Sequence, residues 1–317
     1  MNNIISEIQR SNNIVLLCHK NPDGDAIGST IAMYHLLKKL NKEVDMVIED
    51  APSRFNFIEG FSEIKTSSDK EYDVGIILDT ATKEKINNPN NITENIKKTI
   101  VIDHHQSNTH HGDVNFVEEY PTCCQIVYNI IKEMNIEIDK LLAAPLCTGM
   151  LKDTGGLSHP DVKPSTYQMA GALSEVVEIP SIYKKVLGTI TKGQFELKKI
   201  ATENLEFHKD SQITFTYITE EDLNKLELKR YEADVLANLG RDIEGVEVSI
   251  FVRKYSEENR VSLRSNNIDV NEIAKVFGCG GHKNAAGISS TMDFDSLKEE
   301  LIKEVGKKID EWNTSSK

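Results

Sequence analysis

With 317 residues, 39% hydrophobic and 27% charged, the chain has the composition of an ordinary globular protein of about two domains, not of a disordered or fibrous one. The net charge of −13 excludes a surface built to grip long nucleic acid through many phosphates; a short polyanion stays compatible, because bound divalent metals would reverse the local field. No apolar run approaches the ~18 residues of a membrane span, and Met1–Glu7 has neither the basic nor the apolar region of a secretion signal, so a cytoplasmic location is expected.

Asn13–Cys18, Glu43–Ile48, Val74–Leu78 and Thr99–Ile102 read as strands, with Val114–Val117 a further candidate. Their continuous Val, Ile and Leu content, without polar alternation, predicts strands buried on both faces and hence a parallel sheet. Helices are predicted over Ala26–Leu40, Cys123–Met134 and Leu141–Leu151. Residues 181–211 read as mostly helical, with Tyr183, Val186, Leu187 and Ile190 on one stripe. The period then changes. Residues 213–218 and 246–252 alternate apolar and polar, and a turn at Glu257–Asn259 leads into Val261–Arg264, a hairpin signal. Val270–Phe277 is helix-like, and a last helix spans Phe294–Trp312. The expected fold class is α/β: a parallel-sheet domain over 1–182, a helical connector over 183–211, and a smaller α+β domain with a mixed sheet over 212–317.

In open parallel sheets ligands bind outside the carboxyl ends of the strands. Ligand-type side chains collect there: His19, Asp23 and Asp25 after the first strand, Asp79 after the third, and Asp103-His104-His105 after the fourth. Asp153 ends an apolar helix. Asp25 has a plain structural alternative as an N-cap, and Asp79 as a turn residue. Four such groups at matching edges point to a dinuclear site of carboxylate and imidazole donors, suited to Mn²⁺, Fe²⁺, Co²⁺ or Zn²⁺. Five cysteines without a CxxC pair argue against a disulfide framework or a zinc–thiolate site. A haloacid-dehalogenase nucleophile is disfavoured, because His19 and not an aspartate follows the strand directly. His110 and His111 read as a solvated loop, and His35 and His208 as helix surface.

Gly278–Gly287 follows a helix-like segment rather than a strand, which argues against a dinucleotide fingerprint. Its glycines flanking one histidine fit a backbone approached by an anion, with His282 as donor and Arg264 as a bidentate phosphate contact. Two metals about 3.5–4 Å apart lower the pKa of a shared water and brace an in-line displacement. The expected chemistry is attack by a bridging hydroxide on phosphorus, with His105 donating a proton or stabilising developing charge.

Taken together, His19-x-x-x-Asp23-x-Asp25, Asp79, Asp103-His104-His105, Asp153 and the Gly280-Gly281-His282 loop resemble the DHH/DHHA1 phosphoesterase superfamily over essentially the whole chain. More closely, they resemble the bacterial nanoRNases, bifunctional oligoribonucleases and PAP phosphatases. The resemblance implies two divalent ions, usually manganese: His19, Asp23 and Asp79 for one, and Asp25, Asp79, His104 and Asp153 for the other, with Asp79 bridging. It implies that Asp103 orients His104 and that His105 faces the scissile phosphate. Arg264, Gly280, Gly281 and His282 would hold the substrate's terminal phosphate or nucleotide.

The implied substrates are very short oligonucleotides, including the linear dinucleotides pApA and pGpG, and 3′-phosphoadenosine 5′-phosphate (pAp), with the protein a monomer or homodimer. Long duplex nucleic acid and membranes are not expected partners. Departures from the family pattern are Cys123-Cys124, where relatives often carry small hydroxyl residues, and Leu157-Ser158-His159, where they often place a basic and an aromatic residue. A manganese pyrophosphatase, a cyclic-dinucleotide phosphodiesterase and a non-catalytic nucleotide sensor are the alternatives.

Overall fold

Six parallel strands make the first sheet of the computed structural model, which describes residues 2–315. The first unit runs to Thr189. It opens with α1 (Asn2–Arg10), β1 (Asn13–Leu17), α2 (Gly24–Lys39), β2 (Glu43–Val47), β3 (Ile64–Lys65), β4 (Val74–Leu78), β5 (Thr99–Asp103) and β6 (Val114–Val117). Four helices follow: α3 (Cys123–Glu133), α4 (Lys140–Asp153), α5 (Pro164–Ser174) and α6 (Ile179–Val186). The strand order is β3-β2-β1-β4-β5-β6, and every neighbouring pair is parallel. The chain builds outward from β1 on one side and then from β4 on the other. The order therefore reverses between β1 and β4, where open sheets of this kind form a crevice.

Ile14 and Leu16 face one side of the sheet with Ile76, Leu78, Ile100 and Ile102, while Val15, Leu17, Ile77 and Val101 face the other. All are buried, as the unbroken aliphatic runs require. The first side is covered by helices, through residues such as Ile8, Ile27, Ile31, Ile126 and Met150. The second is covered by Tyr72, Ile86 and Ile92, the last two from the irregular segment with 3-10 turns at Lys83–Lys85 and Pro89–Asn95, which the residue pattern does not predict. Each fully buried aliphatic side chain contributes roughly 1.5–3 kcal/mol.

Helices α2 and α4 cross at glycines. A Cβ at Gly28 would lie 2.5 Å from Pro145 O, and one at Gly149 would lie 2.5 Å from Asp25 Oδ1. This close antiparallel approach sets the start of α2 beside the end of α4. His35 is buried on α2 with Nε2 2.8 Å from Glu59 O, not on the helix surface, because the chain at Gly60 folds over it.

The second unit begins at Ile190. It contains α7 (Lys192–Glu203), β7 (Glu206–His208), β8 (Ile213–Thr219), α8 (Glu220–Lys225), β9 (Val248–Lys254), β10 (Asn259–Ser265), α9 (Val270–Val276), β11 (Gly280–His282), β12 (Ala285–Ser290) and α10 (Phe294–Ser315). The sheet order is β11-β12-β10-β9-β8-β7, parallel only between β8 and β9, so the sheet is mixed. Ile213, Phe215, Ile250 and Leu263 pack against Ile273 of α9 and Leu297 and Leu301 of α10. Ile218 and Phe251 on the opposite face meet Leu197 and Ala201 of α7. His208 sits in strand β7 beside Glu206 rather than on a helix. No helix among the described residues is long and apolar enough to cross a membrane.

Candidate metal centre

Asp79 follows β4 with φ +51°, a left-handed backbone that aspartate tolerates better than bulky residues. The side chain is buried at the reversal between β1 and β4. Its two oxygens face different partners. Oδ2 lies 3.6 Å from His19 Nε2, and Oδ1 lies 3.3 Å from His104 Nε2 and 3.6 Å from His105 Nδ1. Three groups of side chains lie close enough to share an ion: His19, Asp23 and Asp79; Asp25, His104 and Asp153; and Asp79, Asp103, His104 and His105.

Local structure sets each donor. His19 Nδ1 is 2.8 Å from Lys20 O, which turns Nε2 toward Asp79. Asp23, not Asp25, is the N-cap of α2: its Oδ1 accepts from Asp25 N at 2.9 Å and Ala26 N at 3.2 Å. The helix begins at Gly24, so Asp25 lies inside its first turn and points away from the cap. Asp25 Oδ1 accepts from Thr122 Oγ1 at 2.5 Å and Cys124 N at 3.0 Å, and Oδ2 accepts from Cys123 N at 2.6 Å. These donors form the N-terminus of α3, where a carboxylate is favoured. The Cys123-Cys124 departure thus leaves this contact intact, because backbone amides and the Thr122 hydroxyl make it. Asp153 closes α4 at its C-terminal pole, where a carboxylate is disfavoured and a cation is wanted. His104 Nε2 lies 3.5 Å from Asp153 Oδ2 and 3.8 Å from Asp25 Oδ2.

The orienting partners differ from expectation in one respect. His104 Nδ1 is held by Tyr120 O at 3.0 Å, whereas Asp103 Oδ1 holds His105 Nδ1 at 2.7 Å. Asp103 therefore orients His105 and not His104, because the carbonyl of Tyr120 already occupies the His104 side. Asn108 Nδ2 bonds Asp103 Oδ2 at 2.5 Å. His159 Nδ1 lies 2.8 Å from Asp153 O, so this half-buried ring braces the backbone of a candidate ligand. His111 is half-buried with Nε2 2.9 Å from Thr80 O, not part of a solvated loop. Asn108, Tyr120 and Thr122 carried no signal in the residue pattern beyond the proximity of Asn108 to the histidine pair and of Thr122 to a helix start.

Electrostatics show a site short of positive charge. Burial pushes Asp25 up to about 6, helped by the Asp79 charge and opposed by His104 and Thr122. Burial, then Asp23 and Asp25, raises Asp153 well above its ordinary value. Burial works against charge on Asp79, yet His104 and His19 hold it well below the usual range. Burial likewise opposes charge on the imidazoles, but Asp79 lifts His19 to about 9 and His104 well above its ordinary value. Cys123 and Cys124 are pushed up by burial and then by Asp25, so they remain thiols. Asp79 Oδ1 and His104 Nε2 are buried without a hydrogen bond of acceptable geometry. Orphaned buried donor atoms in a carboxylate–imidazole set fit divalent cations and not a thiolate metal.

In the second unit, Arg264 on β10 and His282 on β11 both register with Ala285 of β12, so their side chains leave one face of the sheet. Gly281 presses against this edge, where a Cβ would lie 2.5 Å from Ala286 Cα, and its amide donates to Asn271 Oδ1 at 2.9 Å. Gly280, Gly281 and His282 are exposed. Burial, then Arg253 and Arg241, lowers the Arg264 pKa, as expected of a cation crowded by like charge.

Residues 13–150 match the DHH family, N-terminal domain, and residues 210–314 match the DHHA1 domain. The chain is 28% identical to the bifunctional oligoribonuclease and PAP phosphatase NrnA of Thermus thermophilus, over 93% of this chain and 90% of that protein. It is 26% identical to a probable protein of the same description from Streptococcus mutans, over 90% and 92%. A crystal structure of an exopolyphosphatase-related protein from Bacteroides fragilis superposes with a TM-score of 0.86 at 25% identity, over 96% of this chain and 95% of that one. With both family models matched in order, the chain carries a DHH domain followed by a DHHA1 domain, the layout expected from its motifs.

Proposed function

We propose that this protein is a dinuclear-metal phosphoesterase that hydrolyses very short oligonucleotides to mononucleotides and pAp to AMP and phosphate. The observation that carries the reading is Asp79, whose opposite oxygens face His19 and His104 within two separate donor groups. His19, Asp23 and Asp79 would hold one ion, and Asp25, Asp79, His104 and Asp153 the other, with Mn²⁺ the best match to this hard and borderline donor set. When bound, the ions supply Lewis acidity and a water activated for attack at phosphorus.

The chain's own residues would do the rest. Asp103, buried and lowered by its bonds to His105 and Asn108 despite burial, fixes the His105 ring through Nδ1. The other ring nitrogen of His105 is then the one that handles the proton of the leaving oxygen. Arg264, with His282 and the exposed Gly280–Gly281 loop that lets an anion approach, would take the substrate's second phosphate or its nucleotide. pAp and the linear dinucleotides each carry a phosphoester and a further phosphate, one group for each of these chemistries. The relatives named above carry both activities in their names, which supports the same pairing here.

The test is a manganese-supplemented panel of pAp, pApA, pGpG, a ~24-nucleotide RNA, cyclic dinucleotides and pyrophosphate. Turnover of pAp and the linear dinucleotides is expected to dominate. Preference for pyrophosphate, for cyclic dinucleotides or for the long RNA would overturn the assignment.

A further inference from the structure

The backbone around Asp79 is held by a local bond, Thr80 Oγ1 donating to Leu78 O at 2.8 Å, and by the loop after the histidine pair. Asp79 is left-handed, and its amide donates to Ile102 O at 3.0 Å, so the sheet fixes the residue from one side only. The Thr80–Ala81 peptide, one residue further on, is gripped from the other side. Thr80 is fully buried, and its carbonyl accepts from Asn108 Nδ2 at 3.2 Å and from His111 Nε2 at 2.9 Å. Thr109 N donates to Ala81 O at 3.0 Å.

The sequence brings His111 back to this point in three steps. Asn108 Oδ1 accepts from His110 N at 2.7 Å, an Asx turn. His110 takes a left-handed φ of +52°, which reverses the chain. Gly112 lets the returning backbone run against Val101, where a Cβ would lie 2.8 Å from Val101 Cγ2. A carbonyl only accepts, so the bond to Thr80 O requires the proton on Nε2, and Nδ1 is left buried without a partner. Burying that nitrogen unpaired costs stability, which the bond made by Nε2 offsets in part.

We infer that His111 is a positioning residue for the bridging carboxylate: by gripping the Thr80 carbonyl it keeps Asp79 in the left-handed backbone that sends its two oxygens to opposite donor groups. This rests on the dinuclear reading above. His111 touches neither substrate nor donor set, so it acts through the peptide.

The test compares His111→Gln, His111→Asn and His111→Ala with the native 317-residue chain. The Gln amide nitrogen reaches as far as Nε2, and the Asn amide does not. Mn²⁺ titration by calorimetry and the exchange-coupled Mn²⁺ EPR signal are the primary readouts, with kcat and KM for pAp and thermal denaturation of the ion-free protein beside them. Expected are about tenfold weaker binding of the second ion, loss of coupling, and a fall in kcat with KM nearly unchanged for Asn and Ala, with recovery in Gln. Equal Mn²⁺ affinity and coupling in Gln and Asn, even with a lowered Tm, would show that His111 only supports the fold. If His111→Ala does not fold, the Gln–Asn pair still decides. A native chain that binds no Mn²⁺ overturns the dinuclear reading and this inference with it, whereas native binding of two ions with every variant equal overturns this inference alone.

Discussion

Raising the pH from 6 to 8 should tighten Mn²⁺ binding at the His19 side by about 100-fold. In the ion-free protein the Asp79 carboxylate outweighs burial and lifts His19 to about 9. At pH 7 the ring is therefore about 99% protonated, and it must lose that proton to coordinate. Each pH unit below 9 then changes the apparent constant by about tenfold, or roughly 1.4 kcal/mol. Asp25, at about 6, adds a weaker dependence at the other proposed ion, near the lower end of the window. Stability of the ion-free protein should run the opposite way. A folded pKa above the unfolded 6.5 contributes stability that is full below 6.5 and disappears as pH rises through about 9, roughly 3 kcal/mol for a side chain that is 22% exposed. Calorimetry at pH 7 in two buffers of different ionisation enthalpy measures the protons released, and at least one per ion bound on that side is expected. Affinity independent of pH between 6 and 8, with no proton release, would refute the electrostatic account of His19.

Asp79→Asn keeps a residue tolerant of left-handed backbone but removes the shared charge; it should bind at most one Mn²⁺ and lose turnover, and near-native activity with two bound ions would end the bridging model. Asp103→Asn should cut kcat by on the order of 10²-fold or more while leaving Mn²⁺ affinity intact, since Asp103 serves His105; weakened Mn²⁺ binding with preserved kcat would return it to the His104 side. Gly149→Ala forces a Cβ against Asp25 and should cost about 1–3 kcal/mol, seen as a lowered Tm together with weaker Mn²⁺ binding; an unchanged Tm would mean that the α2–α4 crossing gives way freely. Arg264→Ala should raise KM for pAp at least tenfold with kcat largely kept, and Arg264→Lys should recover only part of this, because an ammonium lacks the bidentate fork; equal KM in all three forms would remove Arg264 from the phosphate site.

The strands that build the first sheet were readable because Val15, Leu17, Ile77 and Val101 leave no polar alternation, which only two-sided burial explains. The candidate donors stood out because carboxylates and imidazoles fall directly after those strands, with Asp153 at a helix end. The roles within the site were less so. Which side chain orients His104 depends on Tyr120 arriving 16 residues later with its carbonyl, and a carbonyl has no residue signature. Asp23 takes the cap that was the structural alternative for Asp25, because the helix starts at Gly24, two residues before the predicted Ala26. His111 read as solvated since its loop is polar, yet the Asx turn at Asn108 and the left-handed His110 fold it inward. In the second unit the β9–β10 hairpin follows from its turn, but the parallel pairing of β8 with β9 brings together segments far apart in sequence that no local pattern links.

Helix α4 ends on Asp153, at its negative pole and within reach of other carboxylates. If the proposed ions bind beside this pole, they would hold the fold together as well as serve the chemistry. Saturation at 100 times the dissociation constant would add about 2.7 kcal/mol to the native state. Starvation for the ion would then reduce how much of the protein survives, and not only how fast it works.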